Sequence, residues 1–275
     1  MKQAPEIEEV PVAAFGDGLK KVIGQLECCA SVLRAEGLKG ASRALFLTQL
    51  AKTGSRPVVV LTPDQNTGEA LLGDLKYFFR YEKTGEVPRF FPAWELLPYE
   101  HLSPLPEISG ERLEILYLLL KGKLPFLVVP IEAAMQCVVP RSELDKLTFP
   151  IARGETFERE LLEACLSENG YTRTSLVESH GEFSVRGDIV DIYPPASSNP
   201  LRVEFFDDTV ESIREFDISS QVSVKEIETV EILPAREVCP TLGQRNEGIQ
   251  KILKLAEEQE VERGGLKELL DKIQH

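Results

Sequence analysis

Leu201-Arg202-Val203-Glu204-Phe205-Phe206-Asp207-Asp208 reads as a strand running into a tight turn. Successive side chains of a strand point to opposite faces, so Leu201, Val203 and Phe205 form a core face while Arg202, Glu204 and Phe206 share the other. A phenylalanine therefore stands among charges. That composition fits a protein-binding surface, where a ring fills a pocket and charges fix the register. It also fits a face on which Phe206 covers a neighbouring domain and the arginines are solvated. The preceding strand, Glu182-Phe183-Ser184-Val185-Arg186, repeats the theme: Phe183 and Val185 point one way, Glu182, Ser184 and Arg186 the other. Arg186, Arg202, Glu204 and Phe206 are thus the candidate binding residues.

Around this stretch lies a run of strands, predicted at 171–177, 182–193, 201–206, 210–216 and 222–233, after one helix at 156–168. The turn-forming tract from Pro194 to Pro200, and Asp207-Asp208, mark connections of an antiparallel meander. The spacing of Val210, Ile213 and Phe216 departs from period two and predicts a bulge near Ser212. Ahead of this α+β domain the rhythm differs. A buried strand at 56–62, an amphipathic helix at 68–79, a strand at 88–92, a helix at 109–121 and a strand at 126–129 give the βαβ pattern of a mainly parallel, doubly wound sheet. Beyond Pro240 the chain turns helical and charged (247–273), with Gly264-Gly265 between two short helices.

The 275 residues suffice for two compact units. A formal net charge of -14 opposes nucleic-acid binding by the chain as a whole, because phosphate neutralisation needs a concentrated basic surface. Five cysteines, with Cys28 and Cys29 adjacent and the rest scattered, give neither a disulfide framework nor a CxxC metal site, and a reducing cytoplasm fits best. The acidic N-terminus lacks the basic and apolar regions of a signal peptide. The most apolar region, 113–135, is interrupted by Lys121-Gly122-Lys123, Pro125 and Pro130, so no membrane span is expected.

Glu36-Gly37-Leu38-Lys39-Gly40-Ala41-Ser42 lies where a phosphate loop would sit in a nucleotide-binding domain. A working loop reads GxxxxGK[ST], its amides cradling phosphates, its lysine reaching the terminal phosphates and its hydroxyl holding magnesium. Here only two residues separate Gly37 from Gly40, and Ala41 stands in the lysine position. Ser42 is instead expected to cap a helix at 43–52. No acidic DExx motif follows an apolar strand and no GxSxG elbow exists; His101, His180 and His275 are far apart in sequence, and Asp207-Asp208 reads as a turn rather than a carboxylate pair. Neither a catalytic residue nor a metal site is assigned. The aromatic stretch 77–99, with Lys76, Arg80, Lys83 and Arg89, resembles a stacking platform for single strands, but the interleaved Glu82, Glu86, Glu95 and Glu100 favour packing of a loop over the sheet edge.

Three segments together resemble the N-terminal region of the bacterial transcription-repair coupling factors (Mfd), whose opening domains are related to the excision-repair protein UvrB. They are Phe90-Phe91-Pro92-Ala93-Trp94-Glu95-Leu96-Leu97-Pro98-Tyr99, with Ser103-Pro104 and Glu111-Arg112-Leu113 following; His180-Gly181-Glu182-Phe183-Ser184-Val185-Arg186-Gly187-Asp188-Ile189-Val190-Asp191-Ile192-Tyr193-Pro194; and Arg202 to Asp208 through Arg214-Glu215-Phe216-Asp217. The resemblance implies an α/β fold: a degenerate RecA-like parallel-sheet domain (1–144), an inserted smaller α+β domain that binds UvrA (145–234), and a truncated return segment to the first domain (235–275). It places the UvrA-binding surface on Arg186, Arg202 and Phe206, with Glu204 beside them. It also implies a non-catalytic, cytoplasmic adaptor without a cofactor of its own; the ATP- and magnesium-dependent motor, and the parts that engage RNA polymerase and double-stranded DNA, lie elsewhere in such proteins. UvrB itself has a functional phosphate loop and a long β-hairpin after its aromatic segment, for which the path from Tyr99 to Glu111 is too short. Two rival expectations are a UvrB-like ATP-dependent damaged-DNA-binding protein and a single-strand DNA-binding module.

Overall fold

The computed structural model describes residues 8–9, 33–53, 56–81, 87–96, 100, 103–259, 266 and 270. The chain divides into two compact units, 1–141 and 142–275.

In the first unit β1 (Glu8–Glu9) pairs in parallel with β2 (Leu33–Arg34), and α1 spans Ser42–Thr53. A parallel sheet follows in the order β3 (Val58–Thr62), β5 (Phe126–Pro130), β4 (Arg89–Phe90). The connecting helices, α2 (Gln65–Tyr81) and α3 (Pro106–Leu120), join successive strands as the βαβ pattern requires. Asp64 starts α2 by accepting bonds from the Thr67 amide at 2.7 Å and hydroxyl at 3.0 Å, which also hold its carboxyl below the ordinary range. Gly68 lets α2 lie close to the sheet, since a Cβ there would stand 2.7 Å from the Phe90 ring and 2.9 Å from Thr62 Oγ1.

Residues alternating along the strands feed two cores. Phe90, Phe126 and Val128 pack with Leu75 and Phe79 of α2 and Ala44 of α1, whereas Leu127 and Val129 pack with Ile115 of α3 and Phe91. The strand expected to be fully buried at 56–62 departs from that expectation. Val59 and Leu61 are each more than half exposed, because among the described residues β3 lies at the edge of the sheet and the core on that face gathers over β5. In the aromatic segment, Phe90, Phe91 and Ala93 are buried, and Arg112, with no exposed surface, donates to Pro92 O at 2.7 Å and Gln136 Oε1 at 3.1 Å. Its guanidinium lies 4.3 Å from the Phe91 ring centroid and 5.0 Å from that of Trp94, so the described rings pack the loop. Tyr99 and His101 lie outside the described residues.

After α4 (Ile131–Ala134), α5 (Arg141–Leu147) leads into the second unit, where β6 (Phe149–Ala152) and α6 (Arg159–Glu168) precede a six-stranded sheet. Its order is β12 (Ser223–Glu226), β11 (Thr209–Phe216), β10 (Leu201–Phe206), β9 (Ile189–Ile192), β8 (Glu182–Arg186), β7 (Thr172–Arg173). The pairings from β8 to β12 are antiparallel, while β7 runs parallel to β8. Phe183, Val190, Ile192, Leu201, Val203, Phe205, Val210 and Ile213 face Leu162 and Leu166 of α6 across one core.

Three strand expectations are corrected. The strand predicted at 171–177 shortens to Thr172–Arg173, because the Glu182 carboxylate draws in the Glu178 and Ser179 amides and bends the chain. Residues 182–193 form a hairpin turning at Gly187-Asp188, where Gly187 takes a φ of 61°. Residues 222–233 split between β12 and β13 (Thr229–Ile232), and β13 leaves the sheet to pair with β6. The predicted bulge is present: Glu204 faces Ser212 but Phe205 faces Val210, leaving Glu211 as the extra residue.

Tyr171 ties the segment just after β13 to the core of this unit. Its buried hydroxyl donates to Leu233 O at 2.8 Å, and burial pushes its pKa far above the ordinary value. Tyr171→Phe is expected to cost about 1–3 kcal/mol at neutral pH by leaving that carbonyl unpaired. Because the folded-state pKa is raised, the tyrosine's contribution persists below its unfolded value near 10.0 and declines above it. Urea titrations of both proteins across alkaline pH check this: the variant should show the shallower decline. Beyond Leu233, Ala235 N donates to Asn169 O at 2.8 Å within the same unit, and α7 (Leu242–Glu258) begins with a capping box between Thr241 and Gln244. Gly264 and Gly265 lie outside the described residues.

Candidate partner-binding face

The sheet of the second unit has one face against α6 and one turned away. Leu201, Val203 and Phe205 are buried in the core, and Phe206, the last residue of β10, is 75% exposed. Asp207, at a φ of 58°, makes the turn that follows. The four candidate residues all lie on the outward side, but their settings differ.

Arg186 and Arg202 converge on one carboxylate. Asp191 of β9 is 1% exposed and accepts Arg186 Nη2 at 2.6 Å, Arg202 Nε at 2.7 Å and Arg202 Nη2 at 3.0 Å. Arg202 is gripped on two sides: its Nη2 also donates to Gln221 Oε1 at 3.0 Å, and its guanidinium lies 4.4 Å from the centroid of the Phe216 ring. The Asp191 hydrogen bond is the leading cause of a raised Arg202 pKa, partly opposed by burial. Arg186 gives Asp191 only its Nη2 and stays 48% exposed, so much of its guanidinium faces solvent. Glu204 is engaged by Arg214 and by the Ser212 hydroxyl at 3.0 Å.

Register explains the convergence. Ser184, Asp191, Arg202, Arg214 and Glu226 stand opposite one another across β8 to β12, and Arg186, Ile189, Glu204 and Ser212 form the next row. At a strand rise of about 3.4 Å per residue, Arg202, Glu204 and Phe206 spread over roughly 14 Å. The face can therefore offer two oriented cations and, at its far end, one bare ring. Ser184, expected to face outward, lies in the outer row but is buried beside Asp191. Sequence reasoning passed over Asp191, Phe216 and Gln221. An aspartate inside the apolar run Ile189-Val190-Asp191-Ile192, with arginines on the strands either side, is the signal that marks it.

The loop of the first unit behaves differently. Gly37 and Gly40 take φ values of 79° and 53°, and α1 begins at Ser42. The Ser42 amide and hydroxyl both bond Lys39 O, at 3.2 and 2.7 Å, and the Arg43 amide turns back to Gly40 O at 3.5 Å. Ser42 therefore does not cap the helix as expected, because its hydroxyl donates to the loop instead of accepting from the helix. Beside Ala41, those turned-back amides do not point outward as a phosphate cradle requires. Asp207 and Asp208 form the β10–β11 turn. His180 stacks on Tyr193 with ring centroids 4.0 Å apart and contacts Ser197 O at 3.1 Å. His275 lies outside the described residues, among which no helix is long and apolar enough to cross a membrane.

Residues 149–238 match the family model of the UvrB interaction domain, which places the outward face inside a domain of that class. The chain is also 38% identical over 229 residues to a transcription-repair-coupling factor of Myxococcus xanthus, covering 82% of this chain and 19% of the relative. The corresponding protein of Escherichia coli K12 is 34% identical over 200 residues (73% and 17%), and that of Bacillus subtilis 168 is 30% identical over 236 residues (86% and 20%). Over most of its length the chain is thus related to the transcription-repair coupling factors, Mfd. It spans about a fifth of the length of these relatives.

Proposed function

We propose that this chain is an adaptor: its second unit docks UvrA, and within a complete coupling factor it brings the excision machinery to RNA polymerase stalled at a lesion. The observation that carries the reading is the outward face of the sheet, where Asp191 orients Arg186 and Arg202 on the same side as the exposed Phe206. Oriented cations beside a bare aromatic ring are the composition of an interaction hot spot. Carboxylates on UvrA pair with the arginines and an apolar pocket receives Phe206. We assign the first unit a supporting role as a degenerate RecA-like domain, without nucleotide chemistry of its own. The parallel sheet with helices on both faces and the turned-back amides of Ser42 and Arg43 support that assignment.

If the second unit and UvrB use the same surface of UvrA, UvrB competes with this chain. Fluorescently labelled chain bound to UvrA should be displaced by unlabelled UvrB in an anisotropy assay; a ternary complex with unchanged anisotropy would contradict the shared surface. Phe206→Ala is expected to weaken UvrA binding by about 2 kcal/mol while leaving the unfolding midpoint unchanged, since the ring contributes binding area and little folding area. Parallel affinity and urea measurements check the split. Tight magnesium-dependent ATP binding by the first unit would favour the UvrB-like reading, and single-strand DNA affinity falling steeply with salt would favour the DNA-binding one.

A further inference from the structure

Resting on that reading of the face, we infer that Asp191 is a positioning residue for partner binding, which presents the two arginines in a fixed geometry without touching the partner itself. Three observations carry this. The carboxylate is 1% exposed, so a docked protein cannot reach it, yet it binds both candidate arginines at 2.6 to 3.0 Å. The two arginines lie on different strands, β8 and β10, with β9 between them, so a single carboxylate on β9 ties the pair across the sheet. The two are also held unequally. Arg202 is fixed through Nε and Nη2 against Asp191 and lies over Phe216, while Arg186 gives Asp191 one donor and stays 48% exposed.

Free arginines sample many rotamers, and immobilising them on binding opposes affinity; a buried carboxylate that immobilises them beforehand removes that opposition. It also limits what they recognise. With Arg202 Nε and one edge already occupied, the partner meets a preset array in which Arg186 supplies the larger share of open donors. The chemistry that fits is a partner carboxylate placed to engage the open side of Arg186. Asp191 thus sets which carboxylate geometry is accepted, and loosening the arginines lowers discrimination as well as strength.

The test compares the wild-type chain with Asp191→Asn, which keeps the side-chain size and removes the charge. The expected result is a folded variant whose UvrA dissociation constant rises at least about tenfold, with the Arg202 Nε–H resonance, protected in the wild type, exchanging freely with water. Within a double-mutant cycle the Asn substitution should cost less affinity on an Arg186→Ala background than on the wild type, since part of its effect passes through Arg186. A residue that merely supports the fold would cost the same on both backgrounds. If the wild type binds and folded Asp191→Asn binds equally well, the inference is overturned while the reading of the face survives. If the folded wild type does not bind, the reading fails and takes the inference with it. Should Asp191→Asn fail to fold, Asp191→Glu, which keeps the charge and displaces it by one methylene, serves instead: weaker binding by a folded protein supports the inference, and unchanged affinity overturns it.

Discussion

Arg202→Ala is expected to weaken UvrA binding at least roughly tenfold, because truncating one partner of a buried interfacial charge pair typically costs about 2 to 5 kcal/mol. The same substitution is expected to destabilise the second unit. Asp191, 1% exposed, loses both bonds from Arg202 and retains only the single bond from Arg186, and the Phe216 ring loses the guanidinium that covers it. Breaking a buried pair costs about 3–5 kcal/mol, and the surviving Arg186 bond places this case near the lower end. Arg202→Lys separates the two effects. It keeps the charge but cannot form the two-point grip on Asp191, so it should recover part of the stability and less of the affinity. Urea unfolding and calorimetric titration of all three proteins check the split. An Arg202→Ala chain as stable as the wild type would contradict the role given to the Asp191 cluster.

In the first unit the largest effect is expected from Arg112→Leu. The side chain has no exposed surface and joins three parts of the unit: its own helix, Pro92 in the aromatic segment, and Gln136 beyond β5. Gln136 Oε1 also accepts the Trp94 amide at 3.1 Å, so one arginine and one glutamine together hold the loop after β4 in place. Leucine leaves Pro92 O without that donor and removes the guanidinium from between the Phe91 and Trp94 rings. Each buried group left unpaired costs about 1–3 kcal/mol, and the total is expected near 3–5 kcal/mol. Trp94 fluorescence during urea unfolding reads this directly. UvrA affinity of the folded variant should be unchanged, because the docking residues belong to the other unit. A loss below about 0.5 kcal/mol, the level of an ordinary surface substitution, would contradict the account of Arg112.

Much of this was legible in the sequence because period-two alternation is local. Leu201, Val203 and Phe205 turn inward and Phe206 outward from their spacing alone, and the broken spacing of Val210, Ile213 and Phe216 located the bulge. Parallel pairing of β3, β5 and β4 likewise followed from strands separated by helices. What escaped depends on pairing across the sheet. Asp191 meets Arg202 only because β9 and β10 lie in one particular register, which neither strand states by itself. β6 escaped because Pro150 interrupts Phe149 and Ile151, and its partner β13 was read as the end of a longer strand. The exposure of Val59 and Leu61 escaped for a similar reason: an apolar run does not say whether its strand lies at the centre or the edge of a sheet.

The most direct test of the central claim is calorimetric titration of purified UvrA into this chain, beside an Arg186→Ala chain whose fold is verified by circular dichroism. The account predicts saturable binding by the wild type and at least roughly tenfold weaker binding by the variant, since Arg186 supplies the open donors of the face. No heat of binding from the folded wild-type chain, or equal affinity for both proteins, would contradict it.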